Sequence, residues 1–145
     1  MKQEIMDLNQ AEHEWVANSL AQVKGLVESA IGKDATDWLR PALLDKAYKV
    51  WNAGHRRGEE DPDSWINAFG IAFGQWLSQE LDLEWKLVSD ELGTELAIFG
   101  MPGKILLFPP NLVAKRYVDG QTEFFLPLSQ AIVKDVKQIR EQLGR

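Results

Sequence analysis

The chain has 145 residues, 45% of them hydrophobic and 26% charged, a balance that excludes a disordered polymer and supplies enough chain to bury a core without a metal or disulfide staple. Its formal net charge of -6 works against nucleic-acid binding, where Lys and Arg must neutralise phosphate, and favours a partner with a basic surface. The lack of cysteine rules out a thiol nucleophile and a thiolate metal site.

The first ten residues carry Glu4 and Asp7 and no apolar run after a basic start, so no secretory signal is read there and a cytoplasmic protein is expected. The longest apolar stretches, near 66–73 and 105–110, fall far below the roughly 20 residues needed to cross a bilayer. From Ala11 to Ile31 apolar residues recur at helical spacing through Trp15, Val16, Leu20, Val23 and Val27, and Gly32 ends the run. A second helix is expected from Pro41 through Leu44, Tyr48 and Trp51 to Gly54. The stretch from His55 to Pro62 divides helices rather than domains, and Arg56-Arg57 against Glu59-Glu60-Asp61 reads as a solvated, self-cancelling loop.

The third helix has the clearest start signal, with Asp61 able to cap, Pro62 suited to the first turn and Asp63 at the positive helix end. It carries Trp65, Ile66, Phe69, Phe73, Trp76 and Leu77 around two glycines, Gly70 and Gly74. Each glycine costs about 1 kcal/mol in a helix interior. Four residues apart, the two share a face and make a shallow groove that another backbone or a flat ring can approach closely. Close internal packing, a role also expected of Trp85 and Gly93, is one compensation and approach of a ligand the other.

Trp85 to Ser89 and Thr94 to Phe99 read as a β-hairpin, with Asp90-Glu-Leu-Gly93 as the turn and Gly93 supplying a left-handed conformation. Met101-Pro-Gly-Lys104 makes a second turn before the apolar run Ile105–Phe108, which suits a strand covered on both faces. Pro109-Pro110 ends that strand, a short helix follows over 111–118, residues 122–125 read as extended, and a last helix spans 128–143 through Ile132, Val136 and Ile139. The expected fold is one α+β domain over 1–145. An N-terminal helical part occupies 1–60, and residues 61–145 hold a helix, an antiparallel β-meander, a short helix and the C-terminal helix. Its strands are 84–90, 94–100 and 104–109, with a fourth near 122–126. The expected core includes Trp15, Val23, Val27, Leu44, Trp51, Ile66, Phe69, Phe73, Trp76, Leu77, Leu87, Leu96, Ile98, Ile105, Leu107, Ile132, Val136 and Ile139.

No phosphate loop, dinucleotide fingerprint, nucleophile elbow or zinc helix occurs, so no catalytic residue, metal or cofactor is assigned. His13 and His55 read as surface residues. Asp90, Glu91 and Glu95 gather at the hairpin turn, where Asp90 is accounted for by bonding local amides. Lys115-Arg116 stands near the end of the short helix, where cations offset the negative dipole. Arg116 could alternatively pair with a carboxylate such as Asp90, and the two cations together could hold an anionic ligand or peptide carboxylate.

The succession Phe69-Gly-Ile-Ala-Phe-Gly74, Leu83-Glu-Trp85, Asp90-Glu-Leu-Gly93, Phe108-Pro109 and Lys115-Arg116 resembles a family of small bacterial domains of unknown function. The resemblance spans about residues 65–135. It implies a bacterial source and an α+β domain, and brings no reaction, cofactor or catalytic residue with it. Two functional readings follow. One is a non-enzymatic binding or regulatory module that covers a basic protein, engaging neither nucleic acid nor membrane. The other is a small ligand-binding or hydrolytic enzyme whose pocket lies between the glycine helix and the sheet, with Asp90 and Arg116 as its working groups.

Overall fold

Asn9 opens helix α1 (Gln10–Ile31): its side chain accepts from the Glu12 N–H at 2.9 Å while the Glu12 carboxylate accepts from the Asn9 N–H at 2.7 Å. Two donors that a helix start leaves over are thereby satisfied reciprocally. The computed structural model describes residues 3–33, 37–55 and 61–144. The loop reading of Arg56 to Glu60 and the side chain of His55 therefore lie outside the described residues, whereas His13 is exposed on α1.

Helix α1 stops at Gly32, whose φ of +128° favours glycine. Helix α2 (Pro41–His55) begins at a proline, and α3 (Asp63–Leu81) begins where the Asp61 carboxylate accepts from the Asp63 N–H at 3.0 Å. Helices α4 (Pro109–Val118) and α5 (Phe125–Leu143) complete the set among the described residues. Every residue of α3 from Ala68 to Gly74 is buried. A helix apolar all round needs cover on all sides, and α1, α2, α4 and α5 all pack against it.

The sheet has four antiparallel strands in the order β1 (Glu4–Met6), β2 (Glu84–Asp90), β3 (Gly93–Gly100) and β4 (Ile105–Leu107). The architecture is α+β, and β2, β3 and β4 form the expected meander. The fourth strand is not at 122–126. Residues 122–124 instead lead into α5, and the N-terminal segment pairs with the outer edge of β2, Ile5 opposite Val88. Lys86 of β2 ties this segment down through Asp7 and lies 3.5 Å from Glu84. That hydrogen-bonded pairing lowers the Asp7 carboxyl below its ordinary range and raises the Lys86 ammonium above its own. β4 is shorter than read from sequence, because Pro109 and Pro110 start α4 rather than merely stopping a strand. Its residues 106 and 107 are half-buried, as befits an edge strand rather than one covered on both faces.

The pairings Trp85 with Ile98 and Leu87 with Leu96 put four side chains on one sheet face, where Leu20 and Ile71 of the helices meet them. The main core is aromatic: Tyr48 sits edge-on to Trp51, Phe69, Phe124 and Phe125 at 5.0 to 5.8 Å between ring centroids. Burial, followed by the nearby Tyr117, pushes the Tyr48 phenol up to about 12. Two expected core residues are exposed instead. Trp15 is 44% exposed because α1 turns Val16, Ser19, Val23 and Val27 inward, and Ile139 is 43% exposed at the end of α5, against the Gly103 turn.

Candidate functional site

On α3 the residues Asn67, Gly70 and Gly74 follow one another at intervals of three and four and form a single stripe. A Cβ on Gly70 would overlap the Cα of Pro110 and lie 2.8 Å from its nitrogen. At Gly74 it would overlap the indole of Trp85 and lie 2.8 Å from the Pro109 ring. The space above both glycines is filled by the start of α4 and by Trp85, whose Nε1–H donates to the Gln75 amide oxygen at 2.9 Å. Directly above Gly70 and Gly74 these groups leave no room for even a Cβ. Gly93 differs from this close-packed pair: a Cβ there would meet open space, and its φ of +138° makes the hairpin turn its reason.

Where the stripe reaches Asn67 the seam opens into a cleft of about 380 Å³. Glu12 and Trp15 of α1, Asn67, Glu95 and Leu96 of β3, and Asn111 of α4 line it. The Asn111 amide donates to Glu95 Oε1 at 2.9 Å. Glu12 commits Oε1 to its helix cap. The remaining carboxylate oxygens of Glu12 and Glu95 have no hydrogen-bond partner among the described residues. An exposed indole beside two carboxylates is a site that attracts a cation, through the ring face and through charge-assisted hydrogen bonds.

The residues singled out from sequence are not gathered in this cleft. Asp90 Oδ1 accepts from the Leu92 N–H at 2.8 Å, closing the hairpin turn. Arg116 donates to the Leu112 carbonyl of its own helix at 3.3 Å, and no ion pair joins it to Asp90 among the described residues. Lys115 is exposed in the last turn of α4. No three His, Asp or Glu side chains are placed to share a metal among the described residues, and no helix there is long and apolar enough to cross a membrane.

Two structural residues went unread in the sequence. Asp45, 5% exposed on α2, accepts from the N–H groups of Phe124, Phe125 and Leu126 at 2.8 to 3.0 Å and so caps α5 from another helix. Its signal was a carboxylate next to Leu44 and three residues before Tyr48, on an apolar face, while the α5 start Phe124-Phe-Leu-Pro127 has no capping side chain of its own. Arg140 of α5 donates to the carbonyl of Leu81 at the end of α3 and to that of Pro102 at 3.1 Å. It thereby joins a helix end to the β3–β4 turn.

No curated protein matches the chain. A crystal structure from Bacteroides thetaiotaomicron VPI-5482, at 1.50 Å resolution, superposes with a TM-score of 0.70 at 15% identity and covers 92% of this chain. The chain spans about half of that protein, 48% of its length, and at this identity the likeness is one of fold. Residues 45–125, from Asp45 to the helix start it caps, match the family described as a domain of unknown function (DUF3806). With more than half of its length matched, the chain belongs to that family.

Proposed function

We propose that this is a bacterial, cytoplasmic, non-enzymatic binding module that recognises a basic segment of a partner protein through the Trp15 cleft. The observation that carries the reading is the exposed Trp15 indole beside Glu12 and Glu95, whose outer oxygens have no partner among the described residues. A lysine or arginine side chain entering there gains both the ring face and the carboxylates. The surroundings extend the same chemistry. Asp90 and Glu91 are exposed at the adjoining hairpin tip, and Leu92, 91% exposed between them and Gly93, adds an apolar contact. With a net charge of -6 over the whole chain, encounter with a basic surface is accelerated at low ionic strength.

The enzyme reading has less support. Its pocket between glycine helix and sheet is occupied by Trp85, Pro109 and Pro110, and its two working groups, Asp90 and Arg116, each bond locally. The binding reading is tested by titrating the protein with a short lysine-rich peptide and following backbone amide shifts. Shifts should centre on Trp15, Asn67 and Glu95, fade at high salt, and weaken in Trp15→Ala and Glu95→Gln. Shifts scattered over the surface, or unchanged in both variants, would count against the cleft.

A further inference from the structure

A second surface lies on the far side of Asn111, where β4 ends the sheet. In an antiparallel edge strand alternate residues turn N–H and C=O away from the partner strand. No backbone bond to the outer edge of β4 is formed among the described residues. Beside that edge runs a groove of about 450 Å³ between β4 and α4, lined by Leu106, Leu107, Phe108, Leu112 and Ala114, with the Asn111 amide on its wall. Lys115 is the one charged residue lining it, and Lys115 makes no ion pair among the described residues. The groove runs on past Lys115 into a recess bordered by Val118, which is 81% exposed, and Asp119.

We propose that this groove binds the C-terminal end of an extended polypeptide, added to β4 as a fifth strand with its terminal carboxylate on Lys115. Each part of the surface meets one part of that occupant. The outward backbone groups of β4 require a partner that offers its own N–H and C=O, which a helix or a lipid chain does not. The three residues of β4 span about 10 Å, so the strand addition is short. Affinity must then come from alternate apolar side chains in the Leu106–Leu112 groove and from the ammonium at its end. Lys115 is the charged group of the mostly apolar groove, with Asp119 only in the recess beyond it, so the groove itself favours an anionic terminus over the basic segment proposed for the Trp15 cleft. The two surfaces take opposite charges and stand or fall separately.

The test uses a pentapeptide of alternating valine and threonine with a free C-terminal carboxylate, alongside the same peptide as its C-terminal amide. Both are titrated into the full chain, with amide shifts and hydrogen exchange followed by NMR. The free acid should shift and protect residues 105–107 and shift 112–118, and the amide should bind about tenfold more weakly, as should the free acid to Lys115→Gln. Lys115 is exposed, so that variant should fold as the parent does, and Trp15→Ala should leave acid binding unchanged. Equal binding of acid and amide, perturbations away from β4 and α4, or no binding at millimolar peptide would overturn the proposal.

Discussion

Along one stripe of α3, Gly70 and Gly74 meet α4 and the sheet in a seam with no space left, while Asn67, one turn earlier, borders an open cleft against the same two neighbours. The difference is one of side-chain size at the stripe. Removing Cβ lets a proline backbone and an indole settle onto the helix. At the next position the half-buried Asn67 side chain forms part of the cleft wall, with the polar side chains of Glu95 and Asn111 around the same gap. Close packing goes to stability in the first region and to recognition in the second, and substitutions should separate the two.

The largest effect is expected at a closed joint away from the stripe. Asp45→Ala leaves three N–H groups at the start of α5 without their acceptor, those of Phe124 and Phe125 being buried, and should cost about 3 to 5 kcal/mol, measured by denaturant unfolding. Next come the glycines. Gly70→Ala gains about 1 kcal/mol of helix propensity but drives a methyl group into the Pro110 backbone, for a net loss of about 1 to 3 kcal/mol, and Gly70→Leu should lose more. Trp85→Phe, which forfeits the bond to Gln75 and part of the ring over Gly74, should cost about 1 to 2 kcal/mol.

On the open side the expectation reverses. Glu95→Gln should change stability by no more than about 0.5 kcal/mol, as surface substitutions do, while weakening the lysine-rich peptide. The smallest effect concerns β1. Asp7 has a lowered pKa, so its contribution is present above the ordinary carboxylate range and is lost as pH falls through the folded value. Lys86 has a raised pKa, so its contribution is present below the ordinary lysine range and is lost as pH rises through the folded value. Amide shifts of Ile5 and Val88 should therefore hold steady near neutrality and move toward unpaired positions in acid, and Asp7→Asn should mimic the acid state at neutral pH.

What could be read from the sequence followed from local chemistry. Helical periodicity, the glycine stops and the Asp90–Gly93 turn act within a few residues, and they located five helices and the β2–β4 meander. What could not be read depends on pairings distant in sequence. Nothing within Glu4–Met6 says that it borders residues 87–89, and β1 is held by Lys86 reaching back to Asp7. The cleft was illegible for the same reason: Trp15, Asn67, Glu95 and Asn111 come from four separate elements, and Trp15 has the spacing of a core residue. Gly70 and Gly74 were readable as a place of close approach because their propensity cost is local, but the choice of Pro109, Pro110 and Trp85 as occupants is tertiary.

The central claim, that one stripe of α3 is closed by its glycines and opened at Asn67, is tested most directly by paired thermal melts of Gly70→Ala and Asn67→Ala. The account predicts that Gly70→Ala melts several degrees below the parent while Asn67→Ala, which only trims a cleft wall, stays within about two degrees of it. A Gly70→Ala protein that melts at or above the parent temperature would contradict it, because the methyl group would then have found room that a filled seam does not have.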